Sequence, residues 1–292
     1  MIEITAEILS DIYKERPPES RKYDFGLVII IGGSDFYSGS PALSAMAAFR
    51  AGADMVRIIA PKRAADIVAS FSPNMAAYPL EGKHLTKEHL PILLSMTEAA
   101  RVVARDNISV VLGGGIGRSE GAQKVVLEYL SKVSVPVVID ADAIAPIRGN
   151  EDVLKNKECI ITPHYNEFFR LTDRDIYDLP LDEKIKTVKE EAGRIGATIL
   201  LKGRVDIISN GDEVAVNRVG SPYLTVGGCG DTLAGITGAL VARRVPIMKA
   251  AGAAAYINSK AGSLAADEMK DSLVATDLIE AISKVINKNK NI

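Results

Sequence analysis

The chain has 292 residues, 47% of them hydrophobic, with 35 Lys plus Arg against 37 Asp plus Glu. That apolar content excludes a disordered chain, and a chain of this length buries roughly 75% of its unfolded surface. A net charge of −2 leaves no basic excess for a nucleic-acid partner, and the one basic tract is the short tail Lys284 to Lys290.

Cys159 and Cys229 are too few for a disulfide scaffold or a Cys-rich zinc site, and they suit a reducing, cytoplasmic setting. The segment Met1 to Phe25 is charged and has no apolar signal core. No uncharged apolar run reaches the roughly 18 residues of a membrane span. No membrane association is expected.

In chain order, Leu27 to Ile31 predicts a buried strand, followed by glycines and a helix around Pro41 to Ala51. Met55 to Ala60 predicts the next strand, with a helix from about Lys62. Val110 to Leu112 ends in Gly113-Gly114-Gly115 and leads to a helix at about Glu120 to Leu130. Val135 to Ile139, Cys159 to Ile161 and Thr198 to Leu201 are further strands. These runs are apolar throughout, as strands buried on both faces are. Alternation with helices implies an α/β fold with a mostly parallel, doubly wound sheet. Asp206 to Ser209 and Val214 to Val216 then flank Asn210-Gly211, which reads as an antiparallel hairpin. From Gly230 the pattern is helical, at about 230–244, 247–267 and 276–287. The second of these helices is rich in Ala, which allows close packing. One domain over 1–292 is expected.

Ligands of such sheets bind beyond the carboxyl ends of the strands. The residues there are Gly32-Gly33-Ser34, Gly113 to Gly117, Asp140-Ala141-Asp142, Thr162-Pro163-His164 and Lys202-Gly203. The sharpest feature is Gly227-Gly228-Cys229-Gly230-Asp231-Thr232, just before a helix. Glycines there let backbone N–H groups face an anion, aided by the helix dipole. Asp231 beside that anion site either accepts a proton from an attacking hydroxyl or caps the helix start. Lys202 is a phosphate contact or a solvated charge. His164 is structural, or pairs with Glu167 one helical turn on. Asp140 and Asp142 bind magnesium through water or cap the next helix. No G-x-x-x-x-G-K-[ST] motif is present, so a P-loop is not expected.

Together these stretches form a known pattern. Lys22 to Gly26, Gly32-Gly33-Ser34, Tyr37 to Ser40, Arg50 to Ala53, Gly113 to Gly117, Asp140 to Ala143, Thr162-Pro163-His164 with Glu167, Lys202-Gly203 and Gly230-Asp231 resemble, in order, the motifs of the NAD(P)H-hydrate dehydratase family. That family lies in the ribokinase-like superfamily, and the resemblance runs from about Lys22 to Glu268. Ser40 stands where the family usually has Ala, and Gly114 where it has Pro. Tyr23, Asp206, Cys229 and Asn258 are further departures.

The resemblance implies a three-layer ribokinase-like α/β/α fold and a hydro-lyase. The expected reaction dehydrates the S form of hydrated NADH or NADPH while ADP becomes AMP, or ATP becomes ADP, with release of phosphate. By the same resemblance, Ser40, Gly117, His164 and Asp231 touch the hydrated dinucleotide, with Asp231 catalytic. Lys202, Gly203, Arg204, Val205, Asp206 and Gly230 hold the adenine nucleotide. Gly227, Gly228, Cys229 and Gly230 form the anion hole, and Glu167 with Asp140 places Mg2+. Many relatives carry an amino-terminal epimerase domain. This chain leaves no room for one, which implies a stand-alone dehydratase with a separate epimerase. The resemblance and the Ala-rich helix also imply a homo-oligomer, such as a tetramer. The rival readings are a small-molecule kinase of the same superfamily, acting on a sugar, thiazole or pyrimidine alcohol, and a non-catalytic nucleotide-binding regulator.

Overall fold

A computed structural model describes residues 1–288; the end of the basic tail, including Lys290, lies outside them. The strands are β1 (Ile2–Glu3), β2 (Leu27–Ile31), β3 (Met55–Pro61), β4 (Ala76–Leu80), β5 (Ile108–Leu112), β6 (Val137–Ile139), β7 (Cys159–Ile161), β8 (Thr198–Leu201), β9 (Asp206–Ser209) and β10 (Val214–Asn217). They form a single sheet in the order β1-β10-β9-β8-β7-β6-β5-β2-β3-β4. Only β9 runs against the rest, since its pairings with β8 and β10 are antiparallel and the others are parallel.

The helices are α1 (Gly39–Arg50), α2 (Lys62–Phe71), α3 (Leu90–Ala104), α4 (Glu120–Lys132), α5 (Tyr165–Thr172), α6 (Leu181–Ile195), α7 (Cys229–Ala242), α8 (Ile247–Met269) and α9 (Ala275–Lys288). Alternate residues of each central strand feed two separate cores. Val28, Ile30, Val56, Ile58, Val111 and Ile160 pack with α1, α2, α7, α8 and α9. Leu27, Ile29, Val110, Leu112, Val137 and Ile161 pack with α3, α4, α5 and α6. Both faces are covered, which is why these strands read as unbroken apolar runs.

The expected strands at 27–31, 159–161 and 198–201 coincide with β2, β7 and β8. The strand expected from Val135 begins at Val137, because Pro136 lacks the N–H a ladder needs. The hairpin forms, but with a four-residue connection, since Ser209 pairs with Val214. The Asn210 side chain closes it by accepting from the Asp212 and Glu213 N–H groups at 3.0 and 2.8 Å. The elements β4, α3 and α6 are not among those read from the sequence. β4 is a sheet edge, mostly exposed and carrying Pro79, so it lacks a strand's apolar signature. α6 is dominated by charge and buries only a narrow stripe through Val188, Ala192 and Ile195. The alanines of α8 are buried within the chain, against α7 and α9, so that helix offers no small-residue face to another copy.

Tyr129 of α4 is fully buried, and its hydroxyl lies 2.7 Å from that of Thr97, which also donates to the Leu93 carbonyl at 2.8 Å. Tyr129→Phe should therefore cost about 1 kcal/mol, because Thr97 keeps a second partner. Tyr129→Ala should cost about 3–5 kcal/mol through the cavity it leaves. Urea unfolding of the two variants checks the contrast.

Candidate active site

The strand order brings the carboxyl ends of β6, β7 and β8 side by side, and the residues just beyond them converge. Lys202 follows β8, Asp140 follows β6, and the segment after β7 leads to His164 and α5. The Lys202 ammonium lies 2.9 Å from Asp140 Oδ1 and 3.5 Å from Glu167 Oε2. All three side chains are largely buried, at 19%, 4% and 11% exposure respectively. Thr162 donates to the same Asp140 oxygen at 2.7 Å. Asp140 does not cap the helical turn that follows it.

His164 and Glu167 form a reciprocal cap on α5. Glu167 Oε2 accepts from the His164 N–H at 2.9 Å, and His164 Nδ1 accepts from the Asn166 N–H at 3.1 Å. Accepting at Nδ1 places the ring proton of a neutral His164 on Nε2, which lies 3.3 Å from Glu167 Oε1. Burial lowers the His164 pKa, with the Glu167 charge opposing it. Burial also works to lower that of Lys202, but the charges of Asp140 and Glu167 outweigh it and raise it. Lys202 is therefore an ammonium and His164 a neutral ring at neutral pH.

The opposite wall is the start of α7. Gly228 caps it with φ +98°, a conformation that favours glycine, and this turns the chain sharply into the helix. The first N–H groups of such a helix have no partner inside it and face outward at the positive end of its dipole. The Cys229 carbonyl lies 2.8 Å from the Thr232 hydroxyl and accepts from Asn258 Nδ2 of α8 at 3.3 Å, which fixes this turn. A Cβ built on Gly230 would stand 3.3 Å from Lys202 Nζ, so the helix start sits directly over the ammonium.

Asp231, in the first turn of α7, directs its carboxylate toward α1, where Oδ1 accepts from the Ser40 hydroxyl. Its backbone carbonyl accepts from Ser44 at 3.0 Å. Burial, then the Asp140 charge, pushes the Asp231 pKa up to about 6, with Ser40 and Lys202 opposing.

Of the residues expected at the site, Ser40, Asp140, His164, Glu167, Lys202, Gly230 and Asp231 converge. Gly117 lies in a flanking loop, where its N–H donates to Asp142 at 3.0 Å and Asp142 pairs with Arg118 at 2.9 Å. Asp142 thus ties that loop and is not joined to Asp140. Gly203 and Arg204 are exposed and Val205 half-buried. Asp206 is buried beneath them, accepting from the Gly203 N–H at 3.1 Å and from Asn217 at 2.9 Å. Burial pushes its pKa up to about 6. Its place is under the 202–206 turn, which it braces. Nothing in the sequence singles out Ser44, Asn217 and Ser259; Thr162 and Thr232 are legible only as parts of the Thr-Pro-His and Gly-Asp-Thr stretches.

The charges leave a deficit. Asp140, Glu167 and Asp231 face Lys202, which gives a local balance of −2 with His164 neutral. Among the described residues, no group of three or more His, Cys, Asp or Glu is arranged to hold a metal unaided. The donor set instead fits a divalent cation shared between one or two carboxylates and phosphate oxygens, the usual habit of Mg2+. A large cleft lined by Arg101, Asp106, Pro136, Glu158 and Arg244 lies at the amino ends of β5, β6 and β7, away from Asp140, Glu167 and Asp231.

A model of the NAD(P)H-hydrate dehydratase family matches residues 28–284. The chain belongs to that family. Its similarity to the bifunctional NAD(P)H-hydrate repair enzyme Nnr of Pyrobaculum aerophilum is 40% identity over 94% of this chain and 53% of the relative. The chain thus spans about half the length of such bifunctional relatives. It is 34% identical to the ADP-dependent (S)-NAD(P)H-hydrate dehydratase of Nitrosopumilus maritimus, over 97% of this chain and 96% of that one. A ribokinase-like superfamily protein of Enterococcus faecalis superposes with a TM-score of 0.85 at 25% identity, over 100% of this chain and 97% of the other. The three-layer ribokinase-like fold expected from the sequence is therefore present. Among the described residues, no helix is long and apolar enough to cross a membrane.

Lys202→Met leaves two buried carboxylates unpaired and should cost about 3 kcal/mol, much of it recovered by Asp140→Asn in the same chain. Thermal or urea unfolding of the double-mutant cycle reads this. Asp231 titrates near 6 when folded and near 4 when unfolded, so the native state binds the extra proton between those values. Stability from this group is full below about pH 4 and is lost as pH rises through 6. Asp231→Asn should therefore be more stable than wild type by about 1–2 kcal/mol at pH 7.5, with the difference gone at pH 4.

Proposed function

We propose that the chain, acting as one domain over 1–292, dehydrates the S form of hydrated NADH or NADPH with ADP or ATP as co-substrate. The observation that carries the reading is Asp231, a partly buried carboxylate at the glycine-flanked start of α7, beside the Lys202 ammonium. Family membership supplies the substrate class, and the Nitrosopumilus relative supports ADP.

The dinucleotide ring enters between Ser40, Gly117, His164 and Asp231. Lys202, Gly203, Arg204 and Val205, braced by Asp206, hold the adenine nucleotide so that its terminal phosphoryl group meets Gly227, Gly228, Cys229 and Gly230. Asp231 takes the proton of the C6 hydroxyl as that oxygen attacks the terminal phosphorus, and the bond to the leaving nucleotide breaks. Backbone N–H groups at the start of α7 and the Lys202 ammonium stabilise the charge on the transferring group. The C6–O bond then breaks, phosphate leaves with the bonding pair, and loss of the C5 proton restores the ring double bond. The balance is hydrated NAD(P)H plus ADP giving NAD(P)H, AMP, phosphate and a proton. Mg2+ held by Glu167 and Asp140 would supply charge neutralisation for the phosphates. The site chemistry and the two free cysteines fit a cytoplasmic enzyme, with an epimerase supplying the S form. A homo-oligomer rests on the family resemblance alone.

Incubation with the hydrated dinucleotide, magnesium and ADP or ATP should restore absorbance near 340 nm with equimolar phosphate. A kinase would instead accumulate a stable phosphorylated product, and a regulator would bind nucleotide without turnover. Asp231→Asn should stay folded and lose about three orders of magnitude or more in kcat. The acid limb of the wild-type kcat/KM profile, which reports the free enzyme, should have its midpoint near pH 6, because the carboxyl accepts no proton below it.

A further inference from the structure

The resemblance assigns Ser40 to the hydrated dinucleotide, but its hydroxyl is already engaged. It donates to Asp231 Oδ1, and among the described residues no second side-chain donor is hydrogen-bonded to that carboxylate. Ser40 is the second residue of α1, and Ser44, one turn on, donates to the Asp231 backbone carbonyl at 3.0 Å. One face of α1 therefore grips residue 231 twice, at its backbone and at its side chain. These helices are in extensive contact along their length, so the grip is rigidly mounted.

The space for the Ser40 hydroxyl comes from a third element. Gly114, in the loop after β5, has no Cβ, and one built there would overlap the hydroxyl and stand 3.0 Å from Asp231 Oδ1. The same Cβ would be 3.4 Å from Ser40 Cβ, an ordinary contact. A side chain on residue 114 is thus excluded by the oxygen of Ser40 and not by the rest of that residue.

A carboxylate that must take a proton needs one oxygen within hydrogen-bond reach of the donor and the other held still. We propose that Ser40 is a positioning residue for Asp231, its hydroxyl occupying the space left open at Gly114 and pinning Oδ1 so that Oδ2 meets the substrate hydroxyl. This rests on the reading of Asp231 as proton acceptor.

Steady-state kinetics on the full chain, with hydrated NADH, ADP and magnesium, test it. Ser40→Ala should lower kcat about tenfold and leave KM for both substrates unchanged, since a misdirected base loses rate and not binding. Gly114→Ala should lower kcat by a similar factor in the wild-type background, because its methyl displaces the hydroxyl. In the Ser40→Ala background the same substitution should cost clearly less than it does in wild type, since only its approach to Asp231 Oδ1 remains. A raised KM with unchanged kcat in Ser40→Ala would make Ser40 a substrate ligand and overturn the proposal. Unchanged kcat and KM with only a lowered Tm would make it a helix-start residue and overturn the proposal equally. Losses that multiply in the double variant would show that positions 40 and 114 share no space. Asp231→Asn separates the two levels: wild-type turnover there removes the proton-acceptor reading itself, whereas an inactive Asp231→Asn beside a fully active Ser40→Ala removes only the positioning role.

Discussion

One ammonium group organises the carboxyl end of this sheet. Lys202 reaches from the end of β8 to Asp140 beyond β6 and Glu167 in α5, and the start of α7 lies over it. Without that cation, two largely buried carboxylates would face each other across neighbouring strand ends, an arrangement worth several kcal/mol of repulsion and desolvation. With it, four separate segments of chain are drawn to one point. The parallel order β8-β7-β6-β5-β2 makes this geometry available, because it places every relevant strand end on the same edge.

Lys202 also sets the chemistry of its neighbours by what it fails to neutralise. One positive charge against Asp140, Glu167 and Asp231 leaves Asp231 in a partly buried and net negative field. Its pKa rises to about 6, and the Ser40 hydrogen bond restrains that rise. As the proposed proton acceptor, such a carboxylate would be mostly ionised at pH 7 yet retain more affinity for a proton than an ordinary aspartate, which is the compromise general-base catalysis requires. His164 follows a different logic. Its ring is committed to the cap of α5 as a neutral acceptor, so its first role is structural, and any substrate contact must use the exposed half of the ring.

The sequence made the strand ends legible because buried parallel strands announce themselves as apolar runs, and the residues just after them must lie on the binding edge. Asp140, His164 and Lys202 are legible in that way, and Asp231 by the glycines that precede its helix. What it did not reveal depends on contacts distant in sequence. Asp206 reads as a nucleotide contact, but three-dimensionally it is the buried brace of the 202–206 turn, held by Asn217 from β10 and Ser259 from α8. No local pattern links those positions. The Ala-rich stretch of α8 was legible as a packing face, but not which partner it packs on. Ser40 and Gly114 were each visible as departures from the family pattern, an added hydroxyl in one place and a lost ring in another. Their relation emerges only where they meet beside Asp231, the bare Gly114 leaving the space that the Ser40 hydroxyl fills.

The near-neutral charge of the chain, which excluded a polyanionic nucleic-acid partner, now bears on how small phosphates could enter. A helix start contributes about half a positive charge, and it loses strength within one turn. Lys202 is already spent on two carboxylates, with a third nearby. The three carboxylates around Lys202 therefore oppose phosphate at that point, and on the proposed reading the helix start and one ammonium would offset them only in part. A divalent cation carried in with the nucleotide would cancel that local excess while using oxygen donors the site already has. On the proposed reading, the burial and the Asp140 charge that raise the Asp231 pKa belong to the same net negative site that would draw a divalent cation in with the nucleotide, and enough added Lys or Arg to replace that cation would also pull the Asp231 carboxyl back toward an ordinary aspartate.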